Sequence, residues 1–224
     1  IFIQPAAGDS GGALGAALLA AKEYNKSPNK NYWNFENVFL GTYCGNDLEI
    51  RNIFEEYNII STKINDKNEL AKLVAYKISE EKVIAICQGR AEFGPRSLGN
   101  RSIIADPRIK NIKEKVNSVI KYRESFRPFA PVIHLDKLDN YFKEDIRSDF
   151  MLFTYHLKDE YLYRKDNKID IQKCYCPGIT HVDGSARVQT IKRNKTNFFS
   201  NMLSCFENLT NCPMLLNTSF NVRG

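Results

Sequence analysis

Apolar runs and amphipathic stretches alternate along the chain, and this alternation predicts an α/β fold. Residues 66–80 have the apolar periodicity of a helix, with Asp66 and Glu69 at the N-cap and N3 positions. Residues 83–87 follow as an unbroken apolar run, which is typical of a strand covered on both sides. A helix that leads into a buried strand indicates a sheet with helices packed against it.

Other segments extend this pattern in both directions. Further strands are predicted at residues 2–4, 59–62, 102–105, 129–134, 150–155, 186–190 and 214–218. Further helices are predicted at residues 13–24, 47–57 and 197–207. One more helix begins at Asp106-Pro107, with Lys110, Lys113 and Lys115 facing outward. Residues 157–180 are interpreted as an exposed insertion, and the Asn, Ser and Pro of residues 25–31 predict a linker.

The composition fits a soluble globular protein with one large domain, or one domain plus a fragment. The chain has 224 residues, of which 43% are hydrophobic. Its longest apolar stretch, residues 13–21, is about half the ~20 residues that a membrane helix needs. Six cysteines without a CxxC pair and three histidines argue against a structural zinc site and favour a reducing, cytoplasmic compartment. We interpret Cys174 and Cys176 as loop thiols.

Arginine is concentrated in one part of the chain. The net charge of +6 is compatible with nucleic acid, an anionic surface or small anionic substrates. Six of the 12 arginines lie within residues 90–127, whereas only four of the 20 lysines do. The guanidinium group can bind phosphate or carboxylate oxygens in a bidentate way. This local excess therefore indicates a site for an anionic ligand.

The arginine-rich region begins with a loop that follows the predicted strand at residues 83–87. Residues 88–102 contain three glycines together with Arg90, Arg96 and Arg101. Ligands of α/β sheets tend to bind beyond the carboxyl ends of strands, and the glycines let the backbone fold back toward a ligand. A structural alternative is that the arginines of this region pair with Glu92, Asp106 and Glu124.

Three further groups of polar residues could contribute to the same site. Lys121 and Arg123 form a KxR pattern, and Arg127 adds a third cation just before a predicted strand. Ser219 and Asn221 form an SxN pattern and lie on one side of an extended segment. This combination suits phosphate binding with added hydroxyl and amide hydrogen bonds. His181, Asp183 and Arg187 form a second polar group, in which His181 either braces the loop or is catalytic.

Four segments resemble the C-terminal, YrdC-like domain of the NodU/CmcH carbamoyltransferase family. They are QGRAEFGPRSLGNRSIIADPR, VNSVIKYRESFRPFAPVI, HVDGSARVQT and LLNTSFNVRG. The opening QPAAGDSGGALGAALLAA resembles the end of that family's preceding actin-like ATPase-fold domain. The resemblance implies a twisted open sheet with flanking helices for residues 31–224, continuing past the end of this chain. It also implies that residues 1–30 are a strand-loop-helix remnant of the actin-like domain.

The resemblance implies an O-carbamoyltransferase that uses carbamoyl phosphate, ATP and Mg²⁺ to form carbamoyl adenylate, for transfer to a hydroxyl of a small molecule or glycan. The implied catalytic cations are Arg96, Lys121 and Arg127. The resemblance adds Arg123, Ser219 and Asn221 as their partners. Together with the residues of the loop and of the His181 group, the predicted substrate- and phosphate-binding residues are Arg90, Arg101, Arg123, His181, Asp183, Arg187, Ser219 and Asn221. The identity of the acceptor stays open.

The resemblance also assigns roles in the opening segment. Ser10, Gly11 and Gly12 would lie near a nucleotide, as a glycine-rich turn before a helix favours phosphate. Asp9 would complete an Fe²⁺ site with two histidines of an HxxxH motif, which this sequence lacks.

Two other functions remain alternatives at this point. One is a threonylcarbamoyl-adenylate synthase-like enzyme, because it shares the YrdC fold. The other is a non-catalytic RNA-binding module, for which cations should alternate with aromatics across a sheet face. The cations cluster in glycine-bearing loops instead, so we expect no nucleic acid and no membrane as partners. A homodimer is a further expectation.

Overall fold

The computed structural model describes residues 3–25 and 37–221, which form a mixed α/β fold. The helices are α1 (Asp9–Asn25), α2 (Asp47–Glu56), α3 (Lys67–Ser79), α4 (Ile112–Val116), α5 (Leu138–Tyr141) and α6 (Phe198–Thr210). The strands are β1 (Ile84–Cys87), β2 (Arg101–Ala105), β3 (Ala130–His134), β4 (Phe153–His156), β5 (Arg164–Lys165), β6 (Lys168–Ile169), β7 (Ser185–Ile191) and β8 (Met214–Ser219). A π-helical turn, Asn117–Lys121, continues α4.

Six of the strands form one mixed sheet in the order β1-β2-β8-β3-β7-β4. Only the β3–β7 pair is parallel, and β5 and β6 form a separate hairpin. The predicted α/β sheet with flanking helices is therefore confirmed. Because β1 and β2 are antiparallel neighbours, the arginine-bearing loop at residues 88–100 is the connection of a β-hairpin.

The main core lies between this sheet and the packed helices α3 and α6. Fully buried apolar side chains come from both helices and from the central strands. Examples are Ala75, Ile78, Met202, Phe206, Ile104, Val132 and Leu215. A smaller cluster of Val38, Leu98, Ala130 and Met151 joins the loop at residues 88–100 to β3. This second cluster fixes the loop against the sheet, so the arginine-bearing segment has a packed base.

The three helices predicted in the first third of the chain are confirmed. The helix predicted at residues 66–80 is α3, and Asp66 caps it by accepting a hydrogen bond from Asn68 N at 2.7 Å. Asn46 and Glu49 form a reciprocal capping box at the start of α2. The helix predicted at residues 13–24 begins earlier, at Asp9.

Three predictions in the first half of the chain are wrong. Strand β1 is an edge strand, and Ala85 and Cys87 are exposed, so it is not covered on both sides. Residues 59–62 form no strand, and Ile60 is fully exposed, because no neighbouring strand is available to pair with this β-branched run. Of the strand predicted at residues 2–4, Ile3 and Gln4 lie outside any strand and residue 2 lies outside the described residues.

The segment after β2 also differs from its prediction. Asp106 does not cap a helix there, because its carboxylate binds the Arg108 guanidinium at 2.6 Å, and α4 begins only at Ile112. Lys113 is buried rather than outward-facing, and its Nζ lies 3.4 Å from the Thr180 carbonyl oxygen.

The segment at residues 157–180 is only partly an exposed insertion. The β5–β6 hairpin is mostly exposed, whereas Ile179 is fully buried. Cys174 and Cys176 lie outside helices and strands, as predicted for loop thiols, but both are buried. They therefore belong to the packed interior.

The linker predicted at residues 25–31 lies almost entirely outside the described residues, so the division at residue 30 stays a prediction. Within residues 3–25 and 37–221, no helix has both the length and the apolar character needed to cross a bilayer.

Candidate anion-binding site

A pocket of about 410 Å³ opens where the loop at residues 88–100, the segment before β3 and the ends of several strands meet. Four arginines line it: Arg96, Arg123, Arg127 and Arg187. Hydroxyl, amide and imidazole side chains complete its polar lining: Ser97, Thr154, His181, Asn217, Thr218 and Ser219. Among the residues that the structure describes, none that lines the pocket is Asp or Glu. The pocket is therefore strongly positive, and it suits a ligand with several negative charges.

The register of the sheet explains why distant segments meet here. Ala130 of β3 pairs with Asn217 of β8, and Thr154 of β4 pairs with Arg187 of β7. Val132 pairs with Gln189 in the parallel β3–β7 ladder, which places Arg187 beside the start of β3. One row across the sheet thus brings four strands to the pocket floor.

Two of the pocket arginines have buried nitrogen atoms without a protein partner. The Nε atoms of Arg96 and Arg187 are both buried and make no hydrogen bond to any described residue. Burial, together with the charges of Arg96 and Arg123, lowers the pKa of Arg187 to about 10. A buried donor without an acceptor costs about 1–3 kcal/mol, and a bound anion would remove that cost.

Asn117 holds the other two pocket arginines in place. Its fully buried side chain accepts a hydrogen bond from Arg123 Nε at 2.6 Å. Its Nδ2 donates to the carbonyl oxygens of Ser125 at 3.2 Å and Arg127 at 3.0 Å. The Arg123 guanidinium also stacks 4.9 Å from the ring of Phe129. The Asn117 amide therefore organises the whole KxR segment. Asn117 begins a π-helical turn, and such turns are often found at functional sites.

A second polar network shapes the loop that carries Arg96. Glu92 Oε1 accepts hydrogen bonds from the backbone N–H groups of Leu98 at 2.6 Å and Asn100 at 2.9 Å. From below, Asn217 Nδ2 donates to the Ser97 carbonyl at 3.1 Å and to Gln189 Oε1 at 2.7 Å. The loop is therefore folded back onto Glu92 and joined to β8 through Ser97, and its arginine is held at the pocket wall.

Arg90 and Arg101 do not line the pocket. Arg101 donates through Nη1 to the carbonyl oxygens of Gln88 at 2.7 Å and Asn100 at 2.9 Å, and through Nη2 to Thr42 at 3.0 Å and Gly89 at 3.3 Å. Arg90 is exposed, and its Nη1 donates to the Gly41 carbonyl at 3.1 Å. Both side chains tie residues 41–42 to the hairpin.

The structural alternative for these arginines holds for Arg108, which pairs with Asp106. Arg127 and Glu124 are 3.9 Å apart with both side chains more than half exposed, so their interaction is weak. Glu92 binds backbone N–H groups rather than a guanidinium.

Lys121 is buried behind the pocket and contacts the end of β8. Its Nζ donates to the Ser219 carbonyl, to Ser219 Oγ at 3.1 Å, and to the carbonyl and Oδ1 of Asn221 at 3.0 and 2.8 Å. Burial and the charge of Arg123 lower the pKa of Lys121 to about 8. The predicted partnership between KxR and SxN is thus a direct contact, in which Ser219 reaches the pocket and Lys121 holds Ser219.

The second predicted polar group is also brought to the pocket. His181 and Arg187 line it, and His181 Nδ1 lies 3.1 Å from Ser185 Oγ. Ser185 in turn donates to Asp183 Oδ1 at 2.6 Å. Burial lowers the pKa of His181, and the charges of Arg187 and Lys113 lower it further. Asp183 therefore acts one step behind the pocket, through Ser185.

Comparison with known proteins places the chain in a family. The family model described as the carbamoyltransferase C-terminus matches residues 75–224. The chain belongs to this carbamoyltransferase family. It is 37% identical to nodulation protein NolNO of Sinorhizobium fredii, over 99% of this chain and 31% of that protein. It is 38% identical to nodulation protein NolO of Bradyrhizobium diazoefficiens, over 99% of this chain and 38% of that protein.

A third relative is nodulation protein U of Rhizobium tropici, 33% identical over all of this chain and 34% of that protein. The chain spans about a third of the length of these curated relatives. The resemblance to the NodU/CmcH carbamoyltransferases is confirmed.

The residues predicted for the opening segment of the carbamoyltransferase chain lie apart from the pocket. Asp9, Ser10, Gly11 and Gly12 form the first turn of α1, and none of them lines the pocket. A Cβ at Gly11 would lie 2.4 Å from the Ala6 carbonyl oxygen, so close backbone packing requires glycine there.

This chain supplies Asp9 and neither histidine of the expected iron site, so the role of Asp9 stays a prediction. The sequence has no HxxxH, and in residues 3–25 and 37–221 no group of three His, Cys, Asp or Glu side chains could hold a metal ion. The pocket likewise offers Mg²⁺ no carboxylate.

Three residues that sequence reasoning missed organise the carbamoyltransferase pocket: Asn117, Gln189 and Asn217. Each is a buried amide within an otherwise apolar segment. A polar residue at an apolar position is a signal that could have identified them, because buried polar groups need hydrogen-bond partners.

Proposed function

We propose that the pocket binds the phosphate groups of carbamoyl phosphate and ATP, and that this chain is the part of a carbamoyltransferase that makes carbamoyl adenylate. One observation carries the proposal. Four arginines converge on a pocket without a carboxylate, and two of them have buried, unpartnered Nε–H groups in the part of the chain described. The family match supports the choice of carbamoyl phosphate as the substrate.

The energetics of the pocket support a bound polyanion. Burying Arg187 and placing it beside Arg96 and Arg123 costs free energy, and both effects lower the pKa of Arg187. A folded protein can retain such an unfavourable arrangement of charges when a bound ligand offsets its free-energy cost. A volume of about 410 Å³ lies within the range for small-molecule sites, and it can hold a carbamoyl group with phosphate groups.

The proposed reaction needs fixed positive charge beside the phosphate of carbamoyl phosphate and beside the α-phosphate of ATP. Water first releases phosphate from carbamoyl phosphate, and an oxygen of the resulting carbamate attacks the α-phosphorus of ATP. Pyrophosphate leaves, and carbamoyl adenylate forms. Arg96, Arg123, Arg127 and Arg187 would stabilise the charge that develops on the phosphoryl oxygens, usually the largest catalytic contribution in this chemistry. Lys121 would act by holding Ser219 and Asn221 in position.

The alternatives fit the pocket less well. The ammonium group of threonine favours an anionic partner, and within residues 3–25 and 37–221 no carboxylate lines the pocket. An RNA-binding surface requires exposed aromatic rings, whereas Phe129, the ring in this pocket, is buried beneath Arg123.

The full-length protein provides the test. Exchange of labelled pyrophosphate into ATP should require carbamoyl phosphate and should disappear in Arg187→Gln. Arg51→Gln, which removes an exposed arginine of α2 that does not line the pocket, is the matched control and should keep full exchange. No exchange by the wild type, or exchange that persists in Arg187→Gln, would overturn the proposal.

A further inference from the structure

Asp183, Ser185 and His181 form a hydrogen-bonded chain that ends at the pocket. The Asp183 carboxylate accepts from Ser185 N–H at 3.0 Å and from the Ser185 hydroxyl at 2.6 Å. These bonds from Ser185 lower the pKa of Asp183, so the carboxylate is ionised and can only accept. Because serine has a single hydroxyl proton, Ser185 gives that proton to Asp183.

This arrangement fixes the tautomer of His181. Ser185 Oγ can offer only lone pairs to His181 Nδ1, which lies 3.1 Å away. The proton of the neutral imidazole is therefore on Nδ1, and Nε2 carries a lone pair. Nε2 makes no hydrogen bond to any residue in the described part of the chain, and the ring lines the pocket. His181 thus presents an acceptor at the pocket wall.

This pocket has an imidazole nitrogen that can only accept, His181 Nε2, beside hydroxyl and amide side chains that can donate or accept. Its four guanidinium groups can only donate, and they match the phosphate oxygens of the proposed substrate. The carbamoyl end of that substrate carries an NH₂ group, which donates and needs the opposite partner. A pocket that recognises both ends of carbamoyl phosphate therefore requires an acceptor beside its arginines.

We infer that His181 Nε2 accepts a hydrogen bond from the carbamoyl NH₂ and thereby selects carbamoyl phosphate over acyl phosphates that lack an N–H. The inference rests on the proposed function. Asp183 and Ser185 are positioning residues in this scheme, because they fix the tautomer without touching the ligand. Sites that hydrogen-bond a substrate N–H reject analogues that lack it, since the buried acceptor is then left unpaired.

Two stable phosphonates test the inference directly. Phosphonoacetamide carries the NH₂ group, whereas acetonylphosphonate has a methyl group in its place. The wild-type full-length protein should bind the amide about tenfold more tightly, as expected for one hydrogen bond. His181→Leu should remove that preference by weakening the amide selectively. Ser185→Ala frees the ring to adopt either tautomer, so the preference should fall to an intermediate value.

Controls separate this inference from the proposed function. His156→Leu, which alters an exposed histidine bound to Glu144 outside the pocket, should keep the full preference. Thermal melting identifies any variant that fails to fold. An unchanged preference in folded His181→Leu, or equal weakening of both phosphonates, would overturn the inference and leave the anion site standing. Failure of the wild type to bind either phosphonate would overturn the proposed function itself.

Discussion

Arg96 and Arg101 lie five residues apart in the sequence, yet their guanidinium groups differ in their hydrogen-bond partners. Arg101 donates to four backbone carbonyl oxygens, including that of Thr42 in a distant segment. Arg96 faces the pocket, and its buried Nε has no partner among the described residues. Arg101 is therefore bound within the fold, whereas Arg96 is left for a ligand.

The same division separates two sets of arginines. We call Arg96, Arg123, Arg127 and Arg187 the pocket set and Arg90, Arg101 and Arg108 the framework set. The pocket set lies near other cations, and the framework set binds carbonyl oxygens or Asp106. Removing a framework arginine should therefore reduce stability, and removing a pocket arginine should reduce ligand binding. Residues that bind ligands commonly cost stability, so the two effects can even have opposite signs.

The largest expected effect is that of Arg96→Gln on binding. The substitution removes a charged donor from the pocket, so affinity for phosphonoacetamide should fall about a hundredfold, or about 2.7 kcal/mol. Stability should hold or rise, because Arg187 loses a neighbouring cation. Calorimetric titration and thermal melting measure the two effects. A melting temperature several degrees lower with unchanged affinity would move Arg96 into the framework set.

Arg101→Gln should give the reverse result. The shorter amide cannot reach all four carbonyl oxygens, and we expect a loss of about 2 kcal/mol in the free energy of unfolding. Urea denaturation measures this loss as a lower midpoint with an unchanged slope. Phosphonoacetamide affinity, measured where the variant is folded, should fall far less than in Arg96→Gln. A hundredfold loss in a variant of normal stability would contradict the comparison.

Sequence periodicity predicted the elements whose stability is local. Helix α3 has a cap and an apolar face, and both are visible in the sequence. The failed strand at residues 59–62 has the right residue types, but a strand also needs a partner, and pairing is a property of the whole sheet. For the same reason, nothing in residues 83–87 revealed that β1 lies at the edge of the sheet.

The sequence predicted which region holds the candidate site, but not which of its arginines line the pocket. The excess of arginine located the loop that carries Arg96, but Arg90 and Arg101 have the same local context and lie outside the pocket. What distinguishes them is the position of carbonyl oxygens at residues 41–42, distant in sequence. The sheet register likewise brings Arg187 to the pocket, and only the fold establishes that register.

Asn117 stabilises the fold and also orients a pocket arginine, so its removal should have an intermediate effect on both stability and affinity. Asn117→Ala leaves the carbonyl groups of Ser125 and Arg127 without their donor, which should cost about 1.5 kcal/mol of stability. Phosphonoacetamide affinity should fall about fivefold, since Arg123 loses the acceptor that orients it. Ser118→Ala, next to it on the exposed side of the turn, is the matched control. Affinity equal to wild type in folded Asn117→Ala would show that Arg123 is oriented by other contacts.

Arg90→Gln should have the smallest effect, and it tests the boundary of the pocket set most sharply. Arg90 is exposed and makes one hydrogen bond, to the Gly41 carbonyl, so the loss of stability should be about 0.5 kcal/mol. At ~0.15 M salt the Debye length is about 8 Å, so an exposed charge outside the pocket should change phosphonoacetamide affinity less than about twofold. The glycine-bearing loop at residues 88–102 predicts Arg90 as a phosphate ligand, and a tenfold loss of affinity would support that role. A twofold change or less would instead leave Arg90 in the framework set. The role of each arginine would then be determined by the oxygen that its guanidinium group already binds rather than by its position in the sequence.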